Sequence, residues 1–118
     1  MKKKIFISTG EVSGDLHGSL LSRALFDEAK KHSINLEICG LGGLRMKKEG
    51  VKILKDTTSI SAIGIWEALP LIFPTIRIQR HLFKLIKKSP PDCLILIDYM
   101  GPNIKIGTKL KSSKTKIP

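Results

Sequence analysis

The stretch that most constrains this chain runs from Lys4 to Gly18: Lys-Ile-Phe-Ile-Ser-Thr-Gly-Glu-Val-Ser-Gly-Asp-Leu-His-Gly. It opens as a short apolar strand, breaks at Gly10, and turns into a helix near Ser13. Apolar residues then recur at Leu16, Leu20, Leu21, Ala24 and Leu25, the spacing of one buried helical face. A strand that runs through a glycine-rich turn into a helix is the first unit of an α/β domain binding nucleotides or sugar phosphates. The turn leaves backbone N–H groups at the positive end of a helix, where an anionic or hydroxyl-rich ligand is stabilised. Two familiar phosphate loops are excluded. No Gly-Lys-Ser/Thr follows, and the spacing of Gly10, Gly14 and Gly18 does not fit G-x-G-x-x-G.

The same alternation continues along the chain. A helix to about Lys31 gives way to a strand at Leu36–Cys39. Gly40-Leu41-Gly42-Gly43 follows, then a short helix carrying Arg45, Lys47, Lys48 and Glu49, with Gly50 placed as its C′ glycine. Val51–Leu54 reads as a third, edge-like strand. Cys93–Ile97 is continuously apolar, which predicts a central parallel strand ending at Asp98. Asn103–Ser113 reads as a helix, and Thr115–Pro118 as the approach to a further strand. The expected fold is therefore α/β, a doubly wound, mainly parallel Rossmann-like sheet. Ligands of such sheets bind beyond the carboxyl ends of the strands. Gly10-Glu11, Gly42-Gly43 and Asp98 all fall there.

The segment between the third and fourth strands differs in character. Ser59–Thr75 holds Ile60, Ile63, Ile65, Trp66, Leu69, Leu71, Ile72 and Phe73, with Glu67 its only charge. Pro70 and Pro74 argue against one regular helix through it. From Ile76 to Lys88 the pattern is amphipathic, with Arg77, Arg80, His81, Lys84, Lys87 and Lys88 on one arc. Ile76, Ile78, Leu82, Phe83, Leu85 and Ile86 lie opposite. For the helix alone, ordinary packing on the sheet is the preferred reading. The apolar segment before it is more than a small domain has room to bury. It reads as an exposed membrane-facing patch through Ile63, Ile65, Trp66, Leu69, Ile72 and Phe73, with Arg77 and Arg80 beside it.

The 118 residues suffice for one domain with a modest core. A net charge of +11 favours anionic partners: nucleic acid, phospholipid head groups or phosphorylated sugars. Aromatics are only 5%, and no nucleic-acid-binding motif is present, so nucleic acid is not the expected partner. Cys39 and Cys93 each sit in an apolar strand and read as reduced core residues. No apolar run is long enough to span a bilayer, and Met1-Lys2-Lys3-Lys4 is not followed by a signal-peptide core. A cytoplasmic protein is expected. No metal-ligand spacing and no cofactor motif occurs.

Among the acids, Asp98 follows an apolar strand, where partial desolvation suits a general base; its structural alternative is a turn cap. Glu11 sits in the first turn and can hydrogen-bond a sugar hydroxyl. Asp15 reads as a first-turn acid facing its own helix dipole. Ser13 and Asn103 can each bind ligand or cap a helix, and Arg45 can meet a phosphate.

The wording of four stretches carries a resemblance that covers nearly the whole chain. Gly10-Glu11-Val12-Ser13-Gly14-Asp15 resembles the opening of the lipid-A-disaccharide synthases, GT-B-type glycosyltransferases. Gly40-Leu41-Gly42-Gly43-Leu44-Arg45-Met46, Ile63-Gly64-Ile65-Trp66-Glu67-Ala68-Leu69 and Pro91-Asp92-Cys93-Leu94-Ile95-Leu96-Ile97-Asp98 agree in order and spacing. The resemblance implies the acceptor-side, N-terminal domain of a two-domain enzyme, with the nucleotide-sugar domain outside the chain. Its donor would be a UDP-sugar, its acceptor an acylated glucosamine phosphate, and its location the cytoplasmic face of the inner membrane. It also implies Asp98 as general base, with Gly10, Glu11, Ser13, Gly14, Gly42, Gly43, Arg45 and Asn103 around the sugar. One departure stands out. Where the family commonly shows Asp-x-Pro-Asp-Phe-Asn, this chain has Asp98-Tyr99-Met100-Gly101-Pro102-Asn103, which lacks the second acid. A basic nucleic-acid-binding module and another GT-B enzyme with a lipid or cell-wall acceptor are the competing readings.

Overall fold

The computed structural model describes residues 1–58, 72–97, 100–112 and 117–118. Four parallel strands, β1 (Lys2–Ser8), β2 (Asn35–Gly42), β3 (Lys52–Asp56) and β4 (Cys93–Leu96), form one sheet in the order β3-β2-β1-β4. Helices α1 (Val12–Lys31) and α2 (Leu44–Lys48) cover one face, α3 (Ile72–Lys88) and α4 (Met100–Ser112) the other. The doubly wound α/β expectation is met among the described residues.

Alternation along the strands divides the core in two. Phe6, Cys39 and Leu41 point towards α3 and α4 and pack on Leu82, Ile86, Ile106 and Leu110. Ile7 and Ile38 point the other way, onto Met46 of α2 and Leu25 and Phe26 of α1. A side-chain period of two is what allows one strand to serve both layers. At the centre β1 and β2 approach closely. A Cβ on Gly40 would sit 1.8 Å from the Ile7 carbonyl oxygen, so only glycine fits there.

Helix ends follow local chemistry. Gly50 has φ +98°, and the N–H groups of Gly50 and Val51 donate to Lys47 O and Met46 O, a Schellman C-cap on α2. The same pattern closes α1, where Ser33 and Ile34 N–H donate to Lys30 O and Ala29 O. There the left-handed position, φ 54°, is held by Ser33 rather than glycine.

Several expectations need correction. The buried face of α1 follows the expected stripe only in part: Leu25 packs on the core, but Leu16, Leu20 and Ala24 are exposed, and the buried positions are Gly14, Asp15, Gly18, Ser19, Ser22 and Ala29. The reason is close packing. Met46 of α2 is wedged between Gly18 and Gly42, where an added Cβ would come within 2.7 and 2.3 Å of its sulfur. The α3 helix begins four residues before Ile76, because Pro74 falls in its first turn, where a missing N–H leaves no helix bond unmade. Pro102 sits likewise in the first turn of α4, which starts at Met100 rather than Asn103. Finally, β4 is an edge strand among the described residues, not a central one. Beyond it, Leu94 N–H donates to Pro118 O at 2.9 Å.

Candidate functional site

The carboxyl ends of the strands form a rim whose turns are tied together by short polar side chains. Thr9 follows β1; its N–H and its hydroxyl both donate to Leu41 O at 3.0 Å. Thr57 follows β3; its hydroxyl donates to Thr9 O at 2.7 Å and its N–H to Gly42 O at 3.0 Å. On the other side, Ser8 Oγ donates to Asn103 Oδ1 at 2.6 Å. The Asn103 amide in turn donates to Ser8 O at 3.1 Å and Ile97 O at 3.2 Å. All four side chains are buried, so each bond is shielded from competing water. Three loops and α4 are thereby held to the end of β1.

The strongest tie comes from Asp15. It lies in the first turn of α1 but does not face its own helix end. Its carboxylate accepts from the N–H groups of Gly43 at 2.8 Å, Met46 at 3.1 Å and Arg45 at 3.1 Å. A carboxylate at a helix N-terminus satisfies orphan donors and complements the positive helix end. The N-terminus of α2 is thus filled by protein. Gly42 and Gly43 serve the same packing: a Cβ on Gly43 would lie 2.5 Å from Thr58 Cγ2 and 3.0 Å from Asp15 Oδ2.

The expected site residues fall into two groups. Gly10, Gly14, Gly42, Gly43 and Asn103 come together at the rim but are buried. Asn103 is only 3% exposed, and its side chain is turned to Ser8 and Ile97. Glu11, Ser13 and Arg45 are exposed beside them. Glu11 is the extended N-cap of α1 with no side-chain cap bond, so neither it nor Ser13 caps that helix through a side chain. The open groups at the rim include a carboxylate and a hydroxyl beside the N-terminus of a 20-residue helix, with the Arg45 guanidinium exposed on α2. Such a surface can accept from and donate to sugar hydroxyls.

Asp98, Ile63, Ile65, Trp66 and Leu69 lie outside the described residues, as do the side chains of Ile72 and Phe73. The residue that precedes Asp98 is well anchored: Ile97 N–H donates to Ser8 O at 3.0 Å and its carbonyl accepts from Asn103. Arg77 and Arg80 are exposed on α3, as are His81, Lys84, Lys87 and Lys88. Lys87 and Lys109 lie over the Phe83 ring at 5.5 and 4.8 Å from its centroid. Among the described residues no helix is long and apolar enough to cross a membrane. Nor, among them, does any group of three or more His, Cys, Asp or Glu side chains form a metal-binding cluster.

Thr9, Thr57 and Ser8 were missed as rim-forming residues. Their signal was a polar residue at the end of an apolar run, which is too common to single out a partner. The perturbed groups among the described residues, Cys39 and the Arg23–Glu49 pair, lie away from the rim. Burial pushes the Cys39 thiol up, and Arg23, hydrogen-bonded to Glu49 between α1 and the end of α2, holds that carboxyl below the usual range.

Comparison with known proteins gives a consistent result. Residues 5–118 match the family described as Lipid-A-disaccharide synthetase. A lipid-A-disaccharide synthase of Prochlorococcus marinus is 50% identical over 115 residues, covering 98% of this chain and 29% of that protein. Those of Gloeothece citriformis and Geobacter sulfurreducens are 49% and 38% identical, over 98% and 97% of this chain. The chain spans about 30% of the length of these relatives. A UDP-GlcNAc 2-epimerase structure from Neisseria meningitidis aligns over 81% of this chain and 25% of its own, at 17% identity. Its TM-score of 0.42 is too low to assign a fold by itself.

Proposed function

Because this chain belongs to the lipid-A-disaccharide synthetase family, we propose that it forms the acceptor side of a glycosyltransferase of lipid A biosynthesis. The enzyme would join UDP-2,3-diacylglucosamine to 2,3-diacylglucosamine 1-phosphate, giving a β-1,6-linked disaccharide 1-phosphate and UDP. The observation that carries the reading is the family match from residue 5 to residue 118, which includes every turn of the rim.

In the proposed reaction the acceptor hydroxyl loses its proton to the Asp98 carboxylate as its oxygen bonds to the anomeric carbon of the donor. The bond from that carbon to the diphosphate breaks, and its electron pair leaves on UDP. Asp98 directly follows Ile97, whose two hydrogen bonds to the end of β1 and to α4 suit a residue that must hold position. Glu11 and Ser13 bond the acceptor sugar, while Asp15, Thr9, Thr57 and Asn103 keep the turns in register. The UDP-sugar is assigned to the part of such enzymes that lies outside the matched stretch. The exposed cations of α3, from Arg77 to Lys88, suit peripheral contact with the anionic cytoplasmic face of the inner membrane.

A chimera tests this. The matched 115 residues of the Prochlorococcus marinus relative are replaced by those of this chain, and UDP release is followed with both acylated substrates. Turnover comparable to the parent, lost on Asp98→Ala with unchanged circular dichroism, is the expected result. A folded chimera without turnover, or one indifferent to Asp98→Ala, overturns the reading.

A further inference from the structure

Beside the rim, between β3, an edge strand among the described residues, and α3, lies an open groove of about 430 Å³. Ligand-sized pockets start at about 300 Å³. Its floor is made by the buried Leu41 and Leu82, and its sides by Leu54 and Leu85, which remain 38% and 37% exposed. Lys55, Arg77 and His81 also line it, and among the described lining residues there is no carboxylate. A shift in the β2–β3 register helps to shape it. Gly40 pairs with Ile53 but Leu41 pairs with Lys55, so Leu54 is an extra residue without a ladder partner. Leu41 directly precedes Gly42-Gly43, so the groove abuts the rim.

We propose that this groove is an acyl-chain subsite: it takes one acyl chain of the phosphorylated acceptor, with the anionic head group at Lys55 and Arg77. The inference rests on the proposed function for the identity of that acceptor. The physical ground is complementarity. Leucines half-exposed in a groove lose least when an alkyl chain replaces water against them, and a basic mouth selects an anionic amphiphile over a neutral one.

The 118-residue chain is titrated with monomeric 1-acyl-glycerol 3-phosphates carrying octanoyl, decanoyl or dodecanoyl chains, below their micellar concentrations. Each methylene that leaves water strengthens binding about fourfold, so affinity should climb steeply with chain length. Leu85→Glu and, independently, the milder Leu54→Ser should flatten that climb by tenfold or more at the dodecanoyl probe, with circular dichroism unchanged. Lys55→Gln combined with Arg77→Gln should abolish the preference for the phosphate over the matching monoacylglycerol. Equal affinities across the chain series, or leucine variants that bind like the parent, overturn the subsite. So do variants that lower binding to anionic phospholipid vesicles but not to the monomeric probe, which would make the groove a bilayer contact. The two hypotheses fail separately. Binding to the chain needs no transfer, so an inactive chimera with a steep chain-length dependence sinks only the proposed function. An active chimera with a flat dependence sinks only the subsite.

Discussion

Replacing Asp15 by alanine should undock the short helix α2 while leaving the rest of the sheet folded. The carboxylate accepts three backbone N–H groups at 2.8 to 3.1 Å in a position only 3% exposed. Hydrogen bonds to a charged group contribute about 1.5–3 kcal/mol each, but three bonds to one carboxylate do not add. Water also reaches part of the vacated helix end, because Leu44 and Arg45 are already exposed. The cost is therefore set by freeing one helix end, and about 3 kcal/mol is expected. With a urea m-value of about 1.5 kcal/mol/M, the unfolding midpoint should fall by about 2 M. Asp15→Asn keeps one oxygen for Gly43 and Met46 but turns an NH₂ towards Arg45 N–H, so about half that loss is expected. Hydrogen exchange supplies the local readout, with the amides of Gly43, Arg45 and Met46 accelerating before those of β1. Glu11→Ala is the control, since that side chain makes no cap bond, and it should change stability by less than about 0.5 kcal/mol. A midpoint shift below about 0.5 M for Asp15→Ala, or unchanged exchange at the three amides, would refute the assignment of Asp15 as the α2 anchor.

Other substitutions probe separate features. Gly40→Ala should abolish cooperative unfolding, because the new methyl overlaps the Ile7 carbonyl within the sheet; a normal urea transition would contradict that close approach. Ser33→Gly should raise stability by about 0.5–1 kcal/mol, since glycine adopts the left-handed cap without a Cβ penalty, and a lower midpoint would count against it. Asn103→Ala, which strips the rim of its three bonds to Ser8 and Ile97, should cost about 2–4 kcal/mol by chemical denaturation. Cys39 should react with a thiol reagent at neutral pH far more slowly than Cys93, because burial raises its pKa and covers its sulfur; equal labelling of the folded protein would be the contrary result.

Local chemistry made much of this fold legible from the chain alone. The apolar runs that became β1, β2 and β4, the edge-like character of β3 among the described residues, Gly50 as a C′ residue and the exposed basic face of α3 each depend on nearest neighbours or on one periodicity. The gathering of Gly10-Glu11 and Gly42-Gly43 at one rim also followed, because strand ends of a parallel sheet point the same way. Position across space was decided only by the tertiary structure. Asp15 looked like a first-turn acid facing the dipole of its own helix, yet its carboxylate serves the next helix, a choice that required α1 and α2 to lie side by side. The leucines of α1 looked like one buried stripe, yet near its N-terminal end the helix approaches so closely that glycine and serine take that face; Leu16 and Leu20 turn outward, while Leu25 still packs on the core. Asn103 looked like a ligand-binding or helix-capping residue, and its side chain closes onto Ser8, 95 residues away in sequence. A sequence announces which groups want partners; only packing determines which partner comes within 3 Å.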